Sequence, residues 1–244
     1  MAGLGGAIGS ARRTAICTLG FIALAHAADA DAKPTSRVYL NGVPTPVFFS
    51  DGDSFTVLGG AMAGSRTRLS GYNSLESFGP AHRWGTWNAH ELYVNAKMAT
   101  LNARRGVWRC TSDLRRDGYG RTLWDCPDLA LDQVRKGLAH AMTITDDPAP
   151  AHLLAAQQAA IAEQRGMWAK GVPTHVLTSL HSNDEGYEGT TYNRLVSVQD
   201  GHSVKWLHKD NYPECHEVCH EGGACMVYVT MNRRYGGTRA ACLR

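Results

Sequence analysis

Apolar and β-branched residues come in short runs through the first part of the chain, and each run is bounded by Gly, Pro, Asn or Asp. Runs of this length and composition are typical of strands. They predict four strands, at residues 37–40, 47–50, 54–58 and 67–70. Two further runs, at 107–111 and 122–124, flank the pair Asp117-Gly118, which is a strong hairpin signal.

Longer segments between these runs have the spacing of helices. The predicted helices cover residues 90–104, 129–141 and 151–168. Beyond residue 170, Gly, His and Cys become frequent, and the pattern predicts strands at 192–198, 203–207 and 226–231. This order of elements predicts an α+β fold with a small antiparallel sheet or barrel.

The N-terminus has the pattern of a secretory signal. A basic pair precedes a short apolar run, which ends at the small-x-small site Ala25-His26-Ala27. The alternative is an N-terminal anchor or an unstructured tail. The sequence thus predicts a signal peptide at 1–27, a linker at 28–36, a main domain at 37–170 and a Cys-rich extension at 171–244. We expect an exported protein, periplasmic or extracellular, with no membrane attachment after cleavage.

The charge of the chain limits how it can bind a polyanion. The formal net charge of +3 falls to +1 without residues 1–27, because Arg12 and Arg13 leave with them and no acidic residue does. A nearly neutral protein does not coat nucleic acid through bulk charge. Any polyanion site must therefore depend on locally clustered arginines.

Six cysteines remain beyond the predicted signal, and an even number in an exported chain indicates disulfides. They are Cys110, Cys126, Cys215, Cys219, Cys225 and Cys242. Cys110 and Cys126 are equally far from the centre of the Asp117-Gly118 turn, so antiparallel pairing would place them side by side. We predict a bond between these two and leave the pairing of the other four open. Zinc ligation by Cys215, Cys219, His216 and His220 is the alternative for the tail.

An acidic turn, Asp51-Gly52-Asp53, separates two of the predicted strands. Such a turn either only reverses the chain or binds a metal ion. Polar residues that suit the second interpretation follow it, namely Arg68, Asn73, Ser74, Glu76 and Arg121. Oxygen ligands suit Ca²⁺ or Mg²⁺, and a pair of guanidiniums suits a phosphate. Since a spare glutamate can position or deprotonate a water, the set indicates phosphodiester hydrolysis.

Five pieces of sequence in this order resemble the staphylococcal nuclease (thermonuclease) family over residues 47–170. They are Asp51-Gly52-Asp53-Ser54, the segment from Arg68 to Glu76, the hairpin from Asp117 to Arg121, the segment from Val134 to Ala139, and Gly166-Met167-Trp168. The resemblance implies an OB-type five-stranded antiparallel β-barrel with three helices. It does not extend to residues 171–244, which we expect to form a small disulfide-stapled β extension.

The resemblance also implies a Ca²⁺-dependent endonuclease that cleaves DNA and RNA and leaves 3′-phosphate ends. By position, Arg68 and Arg121 would bind the scissile phosphate and stabilise the charge that it gains in the transition state. Glu76 would be the general base or would orient the water. Tyr119 would contact a neighbouring phosphate or base.

The metal ligands implied by the resemblance are Asp53, Asn73 and the backbone carbonyl of Ser74, with Asp51 close by as a direct or water-mediated neighbour. Asn73 departs from the family, which has an aspartate there. One negative charge is lost, so Ca²⁺ affinity should fall, and Mg²⁺ or Mn²⁺ could serve instead. Two other hypotheses stay open: a catalytically inactive OB module that binds nucleic acid or another polyanion, and a secreted interaction protein whose barrel is only a scaffold.

Residues 78–88 are unusually aromatic. They contain Trp84 and Trp87, with His82 and Arg83 beside them. The segment is either an aromatic loop that stacks bases next to the site, or a locally buried tryptophan pair.

Overall fold

The computed structural model describes residues 1–3, 35–186, 191–234 and 240–243. Apart from residues 1–3, the predicted signal peptide lies outside these residues, as does most of the predicted linker. Residues Lys33–Arg244 belong to one compact unit. The boundary predicted after residue 170 stays a prediction.

The described residues contain fourteen strands and four α-helices, which confirms the predicted α+β class. The strands are β1 (Ser36–Leu40), β2 (Val43–Asp51), β3 (Ser54–Val57), β4 (Thr67–Leu69), β5 (Tyr72–Ser74), β6 (Ala81–Arg83), β7 (Trp108–Cys110), β8 (Thr122–Trp124), β9 (Ala139–Ala141), β10 (His175–Ser179), β11 (Thr191–Ser197), β12 (Ser203–His208), β13 (Glu217–Cys219) and β14 (Cys225–Val227). The helices are α1 (Ala89–Arg105), α2 (Pro127–Arg135), α3 (Ala151–Ala162) and α4 (Met231–Arg234).

The largest sheet has four strands in the order β3-β2-β1-β7, and two smaller pairs, β4-β8 and β5-β9, lie outside it. These sheets are not closed into a barrel, so the five-stranded barrel stays a prediction. Three isolated antiparallel bridges involve these strands or residues next to them. Thr56 pairs with Arg66, Thr111 with Asp125, and Arg116 with Thr122.

An entirely antiparallel arrangement was the expectation, and it is wrong for two of the pairs. β1 and β7 are parallel, and so are β4 and β8. Parallel neighbours need a crossover connection rather than a tight hairpin. Helix α1 lies in the chain between the members of both pairs and so forms part of each crossover.

Buried and more exposed side chains alternate along the strands, and the buried ones form the core. In β2 the buried side chains are Thr45, Val47, Phe49 and Asp51, so the acidic residue continues the inward-facing row. Phe49 packs edge-on against Phe55 of β3, with ring centroids 5.2 Å apart. The first aspartate of the acidic turn is therefore buried because of its register in the strand.

Two helices end earlier than the spacing of apolar residues predicted. Helix α2 ends at Arg135, not at 141, and residues Ala139–Ala141 form β9. Helix α3 ends at Ala162, and a 3₁₀ turn covers Gly166–Trp168. The physical reason is a close backbone approach between Gly137 and Gly166, where the Met167 amide donates to the Gly137 carbonyl at 2.9 Å.

The C-terminal region forms more sheet than the sequence predicted. β10, β11 and β12 form one antiparallel sheet, while β13 and β14 join β6 in another. The last strand was predicted at 226–231 but ends at Val227, because the Thr230 carbonyl accepts the amides of Arg233 and Arg234 and begins α4. Among the described residues, no helix has the length and apolar character needed to cross a membrane.

Three disulfides join the six cysteines. The predicted Cys110–Cys126 bond is confirmed, and the Thr111–Asp125 bridge beside it has the predicted antiparallel register. The other bonds are Cys215–Cys242 and Cys219–Cys225. The tail is therefore stapled by disulfides, and its cysteine sulfurs are not free thiolates for zinc.

We predict that Gly137→Ala destabilises the protein by about 3 kcal/mol or more. Gly137 has a φ of 65°, and a Cβ there would lie 2.2 Å from the Arg165 carbonyl oxygen, so the backbone would have to move. Urea denaturation measures the loss. Gly118→Ala is the matched control, because nothing lies within 4 Å of a Cβ there. Equal stability of the two variants would contradict this account of the α2 terminus.

Candidate functional site

The acidic turn is packed against both α1 and β5. A Cβ on Gly52 would lie 2.8 Å from the Cβ atoms of Ala99 and Ser74, so only glycine fits there. The Gly52 carbonyl accepts hydrogen bonds from the Tyr72 hydroxyl at 2.9 Å and the Gln133 side-chain amide at 3.3 Å. These contacts fix the turn between two aspartates that are both buried.

Asp53 lies at the centre of the predicted site. Its Oδ1 forms an ion pair with Arg68 Nη1 at 2.7 Å, and its Oδ2 accepts the Ser74 amide at 2.8 Å. Arg68 Nη2 also donates to Asn73 Oδ1. Arg68 therefore bridges Asp53 and Asn73, and four of the predicted site residues contact one another directly.

Asn73 contacts Ser74, which was predicted to belong to the site, and His140, which was not. Its Nδ2 donates to the Ser74 carbonyl at 2.8 Å and lies 3.2 Å from His140 Nε2. Burial lowers the pKa of His140 to about 4, so the ring is neutral. We assign the proton to Nδ1, which lies 3.1 Å from the Ala141 carbonyl, leaving Nε2 to accept from Asn73.

His140 was missed by the sequence reasoning. Its antiparallel pairing with Asn73 in β5-β9 is what brings it to the site. The only signal in the sequence was its position directly after the segment that ends at Ala139. Because the helix was predicted to continue to residue 141, His140 was assigned to a helix and not to a strand.

Asp51 is buried beside Asp53. Its oxygens accept from the Gly52 amide at 2.8 Å, the Ser74 hydroxyl at 3.3 Å and the Ser77 amide at 3.4 Å. Burial raises the pKa of Asp51 well above its usual value, and the neighbouring carboxylates of Asp53 and Glu76 raise it further. The turn thus concentrates negative charge in a small buried volume.

Glu76 lies next to this charge. Burial raises its pKa to about 7, and Asp53 adds to the effect, while Arg68, Arg234 and Arg121 oppose it in that order. The Glu76 backbone amide donates to His82 Nε2 at 3.2 Å, and burial holds the pKa of His82 at about 3. His82 is therefore a neutral acceptor that positions the Glu76 backbone.

Arg68 keeps its charge in this surrounding. Burial lowers its pKa, but Asp53, Glu76 and Asp51 raise it more, and the result lies above the usual arginine value. Its side chain retains about a fifth of its exposure (20%), so it is not fully enclosed by the protein.

Arg121 approaches the site from the hairpin and does not bond to Asp53. Its guanidinium pairs with Asp117 Oδ2 at 2.7 Å, and its amide donates to Asp117 Oδ1 at 2.9 Å. The same Oδ1 accepts the Tyr119 amide at 3.0 Å, and the Tyr119 side chain is exposed. Asp117 thus positions the guanidinium of Arg121 and the backbone of Tyr119, and the charge of Arg121 lowers the pKa of Glu76.

Trp84 and Trp87 do not form an open stacking surface. Trp84 is buried near Trp168, with ring centroids 6.3 Å apart. The indole nitrogens of both residues donate to the Met167 carbonyl, at 3.2 and 2.8 Å. The second interpretation fits Trp84, which is buried, and fits Trp87 in part, since that residue is only partly buried.

Two other features bear on metal binding. Glu217, Cys219 and Cys225 form the one group of at least three His, Cys, Asp or Glu ligand atoms within 4.8 Å found in the described part of the chain. Its two cysteines are bonded to each other, so the group offers no thiolate. At the predicted site, the oxygens of Asp53, Asp51, Asn73 and Ser74 are the hard donors that Ca²⁺ or Mg²⁺ prefers.

Comparison with known proteins gives no further identification: no protein-family model matches the chain, and no curated protein matches it. The arrangement itself combines buried carboxylates, a glutamate that titrates near neutrality and guanidiniums fixed on separate elements. Groups of this kind can bind an anionic substrate and move a proton at neutral pH.

We predict that the free energy of unfolding, measured in chelator, falls as pH rises from about 5 to about 8. The folded pKa of Glu76, about 7, lies above the ordinary glutamate value of 4.5. The unfolded state therefore loses its proton first, and stability decreases with pH between these values. Urea denaturation at several pH values should show a smaller decrease for Glu76→Gln.

The control for this experiment is Glu221→Gln at an exposed position. It should keep the wild-type pH dependence. The raised pKa of Asp51 acts in the same direction and remains in both variants. A decrease of the same size in wild type and Glu76→Gln would contradict the assignment.

Proposed function

We propose that the chain is an exported, metal-dependent endonuclease that hydrolyses phosphodiester bonds in DNA and RNA and leaves 3′-phosphate ends. The observation that carries the proposal is the direct contact of Asp53 with Arg68 and Ser74, with Asn73 bonded to that same Arg68. These residues come from two predicted motifs of the thermonuclease-like pattern, the acidic turn and the segment from Arg68 to Glu76. Contacts among them are what that pattern requires.

An OB-type barrel is the fold that we propose for this part of the chain. The bridge Thr56–Arg66 connects β3 to the residue before β4, and Thr111–Asp125 connects the residues that follow β7 and β8. Together with the four-stranded sheet β3-β2-β1-β7 and the pair β4-β8, these bridges support a closed ring of strands. A thermonuclease-like domain would be built on such a ring.

The residues at the site fit a hard divalent cation. Asp53, Asn73 and the Ser74 carbonyl would hold it, with Asp51 beside them, and Ca²⁺ is the ion that the resemblance favours over Mg²⁺ or Mn²⁺. Burial and, to a lesser degree, neighbouring carboxylates raise the pKa of Asp51 and Glu76, and a nearby positive ion would favour their charged forms. When bound, the cation would supply a Lewis acid that neutralises charge on the phosphate.

The chain's own groups would do the rest of the chemistry. Arg68 and Arg121 would bind the non-bridging oxygens of the scissile phosphate and stabilise the charge that develops on them. Glu76, with a pKa of about 7, would take a proton from the attacking water. Tyr119 would contact a neighbouring phosphate or base from the exposed side of the hairpin.

Export is supported by the three disulfides, which form and persist in oxidising compartments. The predicted signal peptide agrees with this location. DNA and RNA in the periplasm or outside the cell would then be the substrates.

One observation favours a second candidate, a catalytically inactive module that binds nucleic acid. Arg68 donates to Asn73 Oδ1 and pairs with Asp53, so a guanidinium engages two of the proposed metal-ligand side chains. Such a site could bind phosphates without a metal ion. The two candidates differ in whether any divalent ion permits cleavage.

We expect plasmid DNA and RNA to be cleaved in Ca²⁺, Mg²⁺ or Mn²⁺, and not in chelator. Arg121→Ala and Glu76→Ala should each reduce the rate by ~10²-fold or more, because each removes a group that acts in the transition state. Circular dichroism should show that both variants remain folded.

Arg115→Ala is the matched control for this assay. Arg115 lies in the same hairpin, its side chain is 79% exposed and it pairs with Asp113 at 2.6 Å. Its loss should leave the rate close to wild type. Binding in a gel shift without cleavage under any metal would identify the inactive module, and neither binding nor cleavage would identify the interaction protein.

We predict that Asn73→Asp tightens Ca²⁺ binding by about tenfold or more, because it adds a charged ligand. It also removes the Nδ2 donor that occupies the Ser74 carbonyl. Isothermal titration calorimetry measures the change. Asn88→Asp is the control, since an aspartate serves equally well as the N-cap of α1. Unchanged or weaker affinity for Asn73→Asp would count against the metal site.

A further inference from the structure

The C-terminal region is joined to the candidate site by a shared sheet. β14 pairs with β6, so that Met226 lies opposite His82 and Cys225 opposite Arg83. Arg83 and Glu217 add a two-bond ion pair at 2.5 and 2.6 Å. Since His82 accepts the Glu76 amide, the strand that supports Glu76 is also part of the C-terminal sheet.

The loop after Glu76 packs on the same region. Gly79 is buried, and a Cβ there would lie 2.7 Å from Leu243 Cδ1 and 3.4 Å from Val229 Cγ2. The segment that carries Glu76 therefore touches Val229 and a 3₁₀ turn at Ala241–Leu243. The loop after Glu76 thus packs directly on the C-terminal residues at Gly79.

Val229 also holds Arg234. The Arg234 guanidinium donates from Nε to the Val229 carbonyl at 2.7 Å and from Nη2 to the Leu180 carbonyl at 3.1 Å. It lies over the Tyr228 ring, with Cζ 5.7 Å from the ring centroid. Three contacts fix this side chain in a partly buried position.

The charge of Arg234 has no carboxylate partner within ion-pair distance among the residues that the structure describes. Glu185 instead accepts the Tyr228 hydroxyl at 2.5 Å and the Ser182 amide at 3.2 Å. The neighbouring Arg233 differs, because it is exposed and pairs with Glu214 at 3.0 Å. A fixed guanidinium bonded to backbone carbonyls keeps its full charge for an anion.

The position of Arg234 relative to the site has electrostatic support as well. Arg234 is among the charges that oppose the rise in the pKa of Glu76. The geometry agrees, because Val229, whose carbonyl accepts from Arg234, packs against Gly79 in the loop that follows Glu76. Arg234 comes from outside the segment that resembles thermonucleases.

We propose that Arg234 binds a phosphate of the nucleic acid substrate, so that the C-terminal extension forms one wall of the binding site. The ligand is a phosphodiester anion next to Glu76, either the scissile group or its neighbour. This inference rests on the proposed function, because it assigns a further residue to the same site.

The test is binding of a fluorescent single-stranded oligonucleotide at several salt concentrations, in the Glu76→Gln background with Ca²⁺ present so that cleavage does not interfere. Loss of one phosphate contact should reduce the slope of log K against log salt by about 0.7. We expect Arg234→Gln to show this reduction and to weaken binding. Glutamine keeps an N–H donor for a backbone carbonyl while it removes the charge.

Two further variants make the result decisive. Arg233→Gln removes the same charge one residue away and should keep the wild-type slope. Arg234→Lys keeps the charge and should also keep the slope, which separates a charge effect from damage to the extension. Three results would overturn the inference. They are an unchanged salt slope in Arg234→Gln, a reduction of the slope in Arg233→Gln as large as that in Arg234→Gln, or an equally large reduction in Arg234→Lys.

Failure of this inference can be told from failure of the proposed function. If the protein with Glu76 intact cleaves nucleic acid and Arg234→Gln behaves like Arg233→Gln, only the role of Arg234 is wrong. If the intact protein neither binds nor cleaves nucleic acid in any metal, the proposed function is wrong and the role of Arg234 falls with it.

Discussion

The buried carboxylate of Asp53 is the group on which the rest of the site depends. It lies in the interior at the start of β3, and one oxygen pairs with Arg68 while the other accepts the Ser74 amide. A buried charge is stable only when it is paired and hydrogen-bonded. The bridge from β4 to β5 through Asp53 therefore has a structural role even before any ligand binds.

The need to balance buried charge also explains why an additional positive charge would be stabilised in the site. Asp51, Asp53 and Glu76 lie together, and burial and mutual repulsion raise the pKa of Asp51 and Glu76. Arg68 compensates part of this charge by direct contact, and Arg121 and Arg234 act on Glu76. A divalent cation and a phosphate would together balance such a set, because each complements one sign of it.

Much of this could be read from the sequence because it depends on local patterns. Strand β8 was predicted with its observed bounds, and the equal spacing around Asp117-Gly118 was enough to predict the Cys110–Cys126 bond. The ordered motifs also indicated which polar residues would meet.

What the sequence could not predict depends on contacts between distant segments. The early end of α2 follows from the approach of Gly137 to Gly166, which no helical pattern within 129–141 shows. His140 reaches Asn73 only because β9 pairs with β5, and Arg234 reaches the Glu76 loop only through the C-terminal sheet. Pairings of this kind have no local signature, so neither residue could be assigned to the site in advance.

The most direct test is a crystal structure of the protein with Ca²⁺ and a non-hydrolysable phosphodiester analogue. The account predicts the ion on Asp53, Asn73 and the Ser74 carbonyl, with the phosphate between the guanidiniums of Arg68 and Arg121. An ion bound elsewhere, or a phosphate that contacts neither guanidinium, would contradict it.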